Sequence, residues 1–492
     1  MKSNEYSGES LSLTRRTVLC GVGASVANAL LSGCGGGSGG SVLASGNPQP
    51  IPSGSLITGS IAVSSDNVGT IGPRFAGLSY EKSSMAVPRF TPDNSDLIGM
   101  FKGLGPSLLR IGGNSVDTTH WTPGGAGGTS GQVAPSDIDA LAGFLQATGW
   151  TTLYGVNLAT STPAAAAAEV AHAVQSLGNS LYAIEIGNEC DLYGGNYFPS
   201  WNLQDFERLW AQFRIAILQS APDVVVTGPA SASDIAGWTI PFGQDVGRSQ
   251  IALLTQHYYR GDGRSASSTA AELISSDATL KSDLSALKSG AAMIGIPFRL
   301  AETNSFYSGG AIGVSDSYAS ALWIIDHLFN IALGGGVGAN LHGGGNSAGY
   351  TPIADSNGAV VEARPEYYGT LLFTMAGAGS LLGTSVSAAV AGLNISAYAV
   401  KSTSDGLNII VVNKDETQNL SLTIDCGQTV NSAELLLMTG SSLDATSGVK
   451  IQGATVGQDG TFVPQPAYTL QTSGSQVTCY LGALSAALVQ VK

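Results

Sequence analysis

The chain is poor in charge, cysteine and histidine. Of its 492 residues 11% are charged and 7% aromatic, with five cysteines and five histidines. Low charge beside 43% hydrophobic residues argues against disorder beyond the N-terminus, since such a chain can bury a large core and has room for more than one domain. No basic run occurs, and a net charge of −14 opposes a phosphate backbone, which argues against nucleic acid as a partner. The cysteines, Cys20, Cys34, Cys190, Cys426 and Cys479, lack metal-ligand spacing, so a structural zinc site is not expected. There is no His-Glu-x-x-His pair and no phosphate-binding loop. The glycine runs lack a strand-to-helix setting, so nothing calls for a metal, nucleotide or flavin cofactor. No internal repeat is evident.

The N-terminus carries a different signal. Thr14-Arg15-Arg16-Thr17-Val18-Leu19 supplies twin arginines, and a small-residue and apolar stretch follows to Leu31, which predicts an export signal over residues 1–34. Leu30-Leu31-Ser32-Gly33-Cys34 resembles the lipobox of bacterial lipoproteins. That resemblance implies lipid on Cys34, a membrane as partner through the anchor, and a cell-envelope location, periplasmic or surface, with plain secretion as the alternative. Residues 35–59 are rich in Gly, Ser and Pro and read as a flexible linker. Export permits a disulfide between Cys426 and Cys479, whose separation sequence does not give. Cys190 has no visible histidine partner and reads as a small buried packing residue.

From residue 75 to 380 short apolar runs ending in polar residues alternate with Ala- and Leu-rich helical segments. Eight such runs occur: 75–81, 107–113, 151–158, 183–189, 224–230, 251–259, 298–305 and 336–344. Five intervening segments, 135–148, 162–177, 205–220, 267–289 and 315–333, have helical length. This pattern predicts parallel strands with crossover helices, a (β/α)8 TIM barrel of the α/β class. From residue 381 to 492 the pattern becomes short alternating runs between Gly, Ser, Asn and Asp turns, an antiparallel β-sandwich. Residues 60–74 are also strand-like and are expected to join that sandwich.

In a TIM barrel the strand C-termini form the active face. Here they carry Glu81, Asn114, Asn157, Asn188, Glu189, His257, Tyr258, Glu302, Asn304 and His342. Glu189 ends the fourth run and Glu302 lies near the end of the seventh, across the mouth. A carboxylate where a buried strand meets a polar loop is rigid yet reachable, and two of them suit the cleavage of a glycosidic bond.

Asn188-Glu189 and Ala301-Glu302-Thr303, together with Gln256-His257-Tyr258-Tyr259 and Tyr307-Ser308-Gly309-Gly310, resemble glycoside hydrolase family 79, the bacterial β-glucuronidases and heparanases. The resemblance implies a retaining mechanism with Glu189 as acid/base and Glu302 as nucleophile. By the same resemblance Asn188 bonds the sugar 2-hydroxyl and Tyr258 orients the nucleophile, with Tyr259 as a competitor for that role. His257 lines the mouth or packs against the rim. Tyr307, the amide of Gly309 and Tyr350 receive the substrate carboxylate, and Glu81 bonds hydroxyls at the non-reducing end. Two positions depart from the family pattern: Cys190 follows Glu189 where proline is usual, and Ser308 stands where heparanases tend to have glycine. The implied activity is release of terminal β-linked glucuronic acid from an oligosaccharide or glycan. The alternatives are an endo-acting heparanase-like enzyme, another barrel glycosidase, and a non-catalytic carbohydrate-binding lipoprotein. The opposed glutamates argue against the last.

Overall fold

The computed structural model describes residues 46–403 and 406–492. The expected export signal, its lipidation residue Cys34 and the first part of the expected linker lie outside the described residues. Residues 46–492 form one compact unit.

The first long strand, β1 (Leu56–Ile71), begins four residues before the predicted start and so takes in the end of the expected linker. The barrel follows: β2 (Ala76–Glu81), β3 (Leu108–Gly112), β4 (Thr151–Val156), β5 (Leu181–Ile186), β6 (Val226–Ser231), β7 (Leu254–Tyr259), β8 (Phe298–Asn304) and β9 (Ala339–Gly343). All eight predicted runs are strands of one closed parallel barrel, in chain order, with β9 closing onto β2 from Ala339↔Ala76 to Gly343↔Tyr80. Strands walled by side chains inside and helices outside are buried on both faces, which is why they read as continuous apolar runs rather than alternating ones.

Helices follow the strands, among them Pro135–Thr148, Pro163–Leu177, Leu203–Ser220, Tyr318–Leu333 and Pro365–Met375. The side chains of Thr162 and Asn202 accept from Ala165 N and Asp205 N, closing two of these helices at the start. The segment predicted as one helix over 267–289 is instead two, Ala270–Leu273 and Ala278–Ile294. The break falls at Asp277, whose carboxylate caps the second by accepting from Leu280 N at 2.9 Å.

The remaining strands are β10 (Gly379–Ala388), β11 (Ile395–Ser402), β12 (Leu407–Asn413), β13 (Asn419–Asp425), β14 (Ala433–Thr439), β15 (Gln476–Leu481) and β16 (Ser485–Val491). With β1 and three short segments they form a separate, almost wholly antiparallel 11-stranded array, the β-sandwich domain. β1 lies within it, antiparallel to β10 and parallel to β13. Alternation along β12 divides the core: Ile409 and Val411 join Ile61, Leu422 and Val477 inside the sandwich, whereas Ile410 and Val412 join the barrel's core. The helix Tyr318–Leu333, held between barrel and sheet, is accordingly buried nearly all round. Cys426 and Cys479 are buried free thiols, and the disulfide that export would permit does not join them. No described helix is long and apolar enough to cross a membrane.

Beside the first strands lies a cluster of aromatic rings. The Phe101 ring centroid lies 5.0 Å from Phe144 and 4.6 Å from Trp150, and Phe101 is fully buried. Removing it leaves a cavity its rigid neighbours fill poorly. Phe101→Ala is expected to lower the unfolding free energy by about 3–5 kcal/mol in urea denaturation.

Candidate active site

The barrel mouth holds a cavity of about 520 Å³ lined by Glu81, Asn114, Glu189, Leu192, Tyr259, Glu302, Tyr307, His342 and Tyr350, among others. Beneath it lies a fully buried arginine, Arg110 of β3. Its Nε donates to Glu185 Oε2 at 2.6 Å, one Nη to Glu302 Oε2 at 2.7 Å, and the other to Asn188 Oδ1 at 2.8 Å. One guanidinium thus fixes the nucleophile candidate and the residue preceding the acid candidate. Sequence reasoning missed Arg110 and Glu185, although a charge inside Leu108-Leu109-Arg110-Ile111 or Ala183-Ile184-Glu185-Ile186 is itself a signal, because buried charge needs a partner.

Glu302 also accepts from the Tyr259 hydroxyl at 2.8 Å. Burial opposes its ionisation, but His342, His257 and Arg110, with the Tyr259 hydrogen bond, prevail and hold its pKa below the ordinary carboxylate range. Glu189 Oε1 lies 3.1 Å from His257 Nδ1, which in turn is 3.9 Å from Glu302 Oε2. One oxygen from each glutamate and a ring nitrogen of His257 fall within 4.8 Å of one another, a spacing that could also hold a metal ion. Arg110 already donates to the same Glu302 carboxylate, so a cation there would face the guanidinium's charge.

The loop that carries Glu189 is built tightly. Gly187 has φ +85°, and a Cβ there would lie 2.6 Å from Cys190 Sγ and 2.8 Å from the Tyr193 hydroxyl oxygen, so only glycine serves. Glu189 itself is left-handed at φ 49°, pinned by its amide donating to Ala230 O at 2.7 Å. Asn188 N donates to the Tyr193 hydroxyl, which donates to Asp117 Oδ2 at 2.6 Å. Burial raises the Asp117 pKa to about 6 against the pull of that Tyr193 bond. Cys190 is buried, and desolvation followed by the charge of Asp117 pushes its thiol well above the usual range, which leaves it a packing residue.

One expectation is corrected. Tyr258 does not touch Glu302; its hydroxyl donates to Asp277 Oδ2 at 2.7 Å, among the surrounding helices. Side chains alternate along a strand, so if His257 points into the mouth Tyr259 does too and Tyr258 points away. The orienting tyrosine is Tyr259.

The remaining candidates converge. The Tyr350 ring stacks 5.8 Å from Tyr259, and Tyr307 meets Tyr259 edge-on at 6.5 Å. Tyr350 N donates to Gly309 O at 3.1 Å, while burial, then Glu302, raise the Tyr350 hydroxyl's pKa against the opposing effect of the neighbouring Tyr259 hydroxyl and Gly309 amide. Glu81 accepts from Ser115 N at 2.7 Å and Asn114 N at 3.2 Å and lies 3.6 Å from His342 Nε2. A Cβ on Gly113, φ +73°, would sit 2.5 Å from Glu81 Cδ. His342 of β9, a strand-end residue to which the sequence gives no role, belongs to the site. It stands 3.7 Å from Glu302 Oε2; burial lowers its pKa, but Glu302 and Glu81 outweigh this and raise it. Asn157 satisfies the loop backbone, donating to Thr119 O at 3.1 Å.

An eight-stranded barrel with opposed carboxylates at the C-terminal ends of its strands has the architecture of the glycoside hydrolases. No family model matches the chain. It is 26% identical to a β-glucuronidase of Aspergillus niger over 40% of each chain, and 24% identical to a β-glucuronidase of Neurospora crassa over 64% of this chain and 66% of that one. The matches thus span less than two thirds of either relative. Its fold is that of a 4-O-α-L-rhamnosyl-β-D-glucuronidase from Fusarium oxysporum, with a TM-score of 0.73 at 19% identity over 88% of this chain and all of that one. A family 51 arabinofuranosidase from Xanthomonas axonopodis shares the fold at 0.66 and 14% identity, over 89% of this chain and all of that one. In sequence the chain is similar to these two β-glucuronidases, and in fold to the Fusarium enzyme.

Two outcomes follow. A hydrogen bond to a charged group contributes about 1.5–3 kcal/mol, so Tyr259→Phe is expected to lower kcat on the order of tenfold to a hundredfold, whereas Tyr258→Phe changes it by less than about threefold. His342 helps keep Glu302 ionised at low pH. Without it the Glu302 pKa rises, so the acid limb of the kcat/KM profile of His342→Gln is expected to move up by about one pH unit.

Proposed function

We propose that the protein is a retaining exo-β-glucuronidase acting on terminal β-linked glucuronic acid. The carrying observation is that carboxylate oxygens of Glu189 and Glu302 approach within 4.8 Å. Retaining enzymes hold their carboxyl groups about 5–5.5 Å apart, and a wider gap of about 6.5–9.5 Å admits the water that leads to inversion. The lowered pKa of Glu302 agrees with a nucleophile's role. Glu302, held ionised, attacks the anomeric carbon as the bond to the leaving oxygen breaks, and Glu189 gives that oxygen its proton. Glu189 then takes a proton from water, which displaces Glu302 from the glycosyl ester. Arg110 and Tyr259 hold the attacking carboxylate in line, and Asn188 stands ready for the sugar 2-hydroxyl.

The uronic acid reading is supported by the relatives' activities and by neutral donors beside Glu302. Tyr307, the Gly309 amide and Tyr350 can receive a carboxylate without the permanent cation that would pair with the nucleophile instead. Exo action is supported by a pocket whose far side is occupied by Glu81, Asn114 and His342. The twin-arginine segment and Cys34 support an exported, lipid-anchored protein of the cell envelope.

The test is a panel of 4-nitrophenyl β-glucuronide, β-glucoside and β-xyloside. The glucuronide is expected to be preferred, proton NMR to record the β-anomer as first product, and Glu302→Gln to lower kcat at least about a thousandfold. Equal rates on the three sugars, or an α-anomer first, would overturn the reading.

A further inference from the structure

The two sides of the cavity differ in chemistry. In the closed barrel β5 stands opposite β9, and β6 opposite β2. Glu81, Asn114, His342 and Tyr350 follow or end the strands on one side, where a sugar's hydroxyls and carboxylate find partners. Across from them, beside the acid Glu189, the wall is made by Leu192, Ala232 and Ser233 from the loops after β5 and β6. This is the leaving-group side, because the proton donor sits on it.

A single exposed leucine is ordinary on a protein surface. Leu192 differs in being held rigidly inside the cavity while 49% exposed. Its amide donates to Glu189 O at 2.9 Å, and its carbonyl accepts from Asn196 Nδ2 at 2.7 Å. Trp201 Nε1 anchors the same turn through Cys190 O at 2.7 Å. The Asp191 carboxylate accepts from Ala232 N at 2.8 Å, Ser233 N at 3.2 Å and Asp234 N at 3.4 Å, tying the two loops into one wall. Asp191 and Asn196 are thereby engaged with the backbone, and the Ser233 hydroxyl is the polar side chain this wall offers the cavity.

A second sugar in that position would bring several hydroxyls to a surface with few partners, and an unmatched buried polar group costs about 1–3 kcal/mol. A sulfated or carboxylated aglycone would need a cation. Arg264 is bound through two nitrogens to Asp262, and Arg260 pairs with Glu272 and Asp277. A flat apolar ring needs only area.

We propose that Leu192, with Ala232 and Ser233, forms an aglycone subsite for phenol-derived, aromatic leaving groups, so that aryl β-glucuronides are the preferred substrate class. The inference rests on the β-glucuronidase reading. In the first step the bond from Glu302 to the anomeric carbon forms, the bond to the aryl oxygen breaks, and the phenol departs with the Glu189 proton.

The test compares 2-naphthyl and methyl β-glucuronide with wild type, Leu192→Ser and Leu192→Met. The ratio of kcat/KM for naphthyl over methyl is expected to fall about tenfold in Leu192→Ser, mainly through KM, and to be kept by Leu192→Met. An unchanged ratio in Leu192→Ser, an equal fall in both variants, or faster turnover of a glucuronosyl disaccharide than of the naphthyl compound overturns the subsite while leaving the glucuronidase intact. Failure of the wild type to hydrolyse any β-glucuronide, with activity on a β-xyloside, overturns the reading beneath it and the subsite with it.

Discussion

The site is organised around one buried cation. Taking a guanidinium out of water costs several kcal/mol, and that cost is offset only where good geometry supplies partners. Arg110 has two carboxylates, Glu185 and Glu302, and the Asn188 amide oxygen, each within 2.8 Å. The planar fork suits this arrangement, since three directions of donation are fixed by one rigid group; a lysine would offer a point charge and leave the geometry loose. Because the partners come from β5, the loop after it and β8, the same interaction that keeps a carboxylate ionised also joins three staves of the barrel.

Polarity at the mouth is therefore layered. Arg110 and Glu185 lie beneath, Glu302 above them, and Tyr259, His257 and His342 around it. Electrostatic attraction here works against burial, and the direction of each pKa shift records which prevails. For Glu302 the cations win; for Asp117, which has hydrogen-bond donors but lies away from that cluster, burial wins. The pKa values of two carboxylates of similar intrinsic acidity are thus shifted in opposite directions by their surroundings.

The architecture was legible in the sequence wherever a strand is buried on both faces, because each of the eight barrel strands is then an apolar run stopped by a polar residue. Position in the run also singled out Glu189 and Glu302. Assignments that depend on parity or on partners were harder to read. Between Tyr258 and Tyr259 the sequence offers no chemical difference, and only alternation from His257 separates them. Arg110 was obscured because its partners are 75, 78 and 192 residues away in sequence. The break at Asp277 was hidden for a similar reason: helical composition continues through it, and a cap is a matter of local geometry.

The strand β12 bears on how the molecule can be divided. Its alternate residues belong to two different cores, Ile410 and Val412 beside the barrel's helices and Ile409 and Val411 within the sandwich. The change of pattern near residue 380 is a boundary in sequence order but not in the packed interior. A barrel cut free there would bare a broad oily face on the helix Tyr318–Leu333, inviting self-association. The two parts are best regarded as a single inheritable unit, in which transplanting the catalytic barrel onto another protein requires carrying the sheet along.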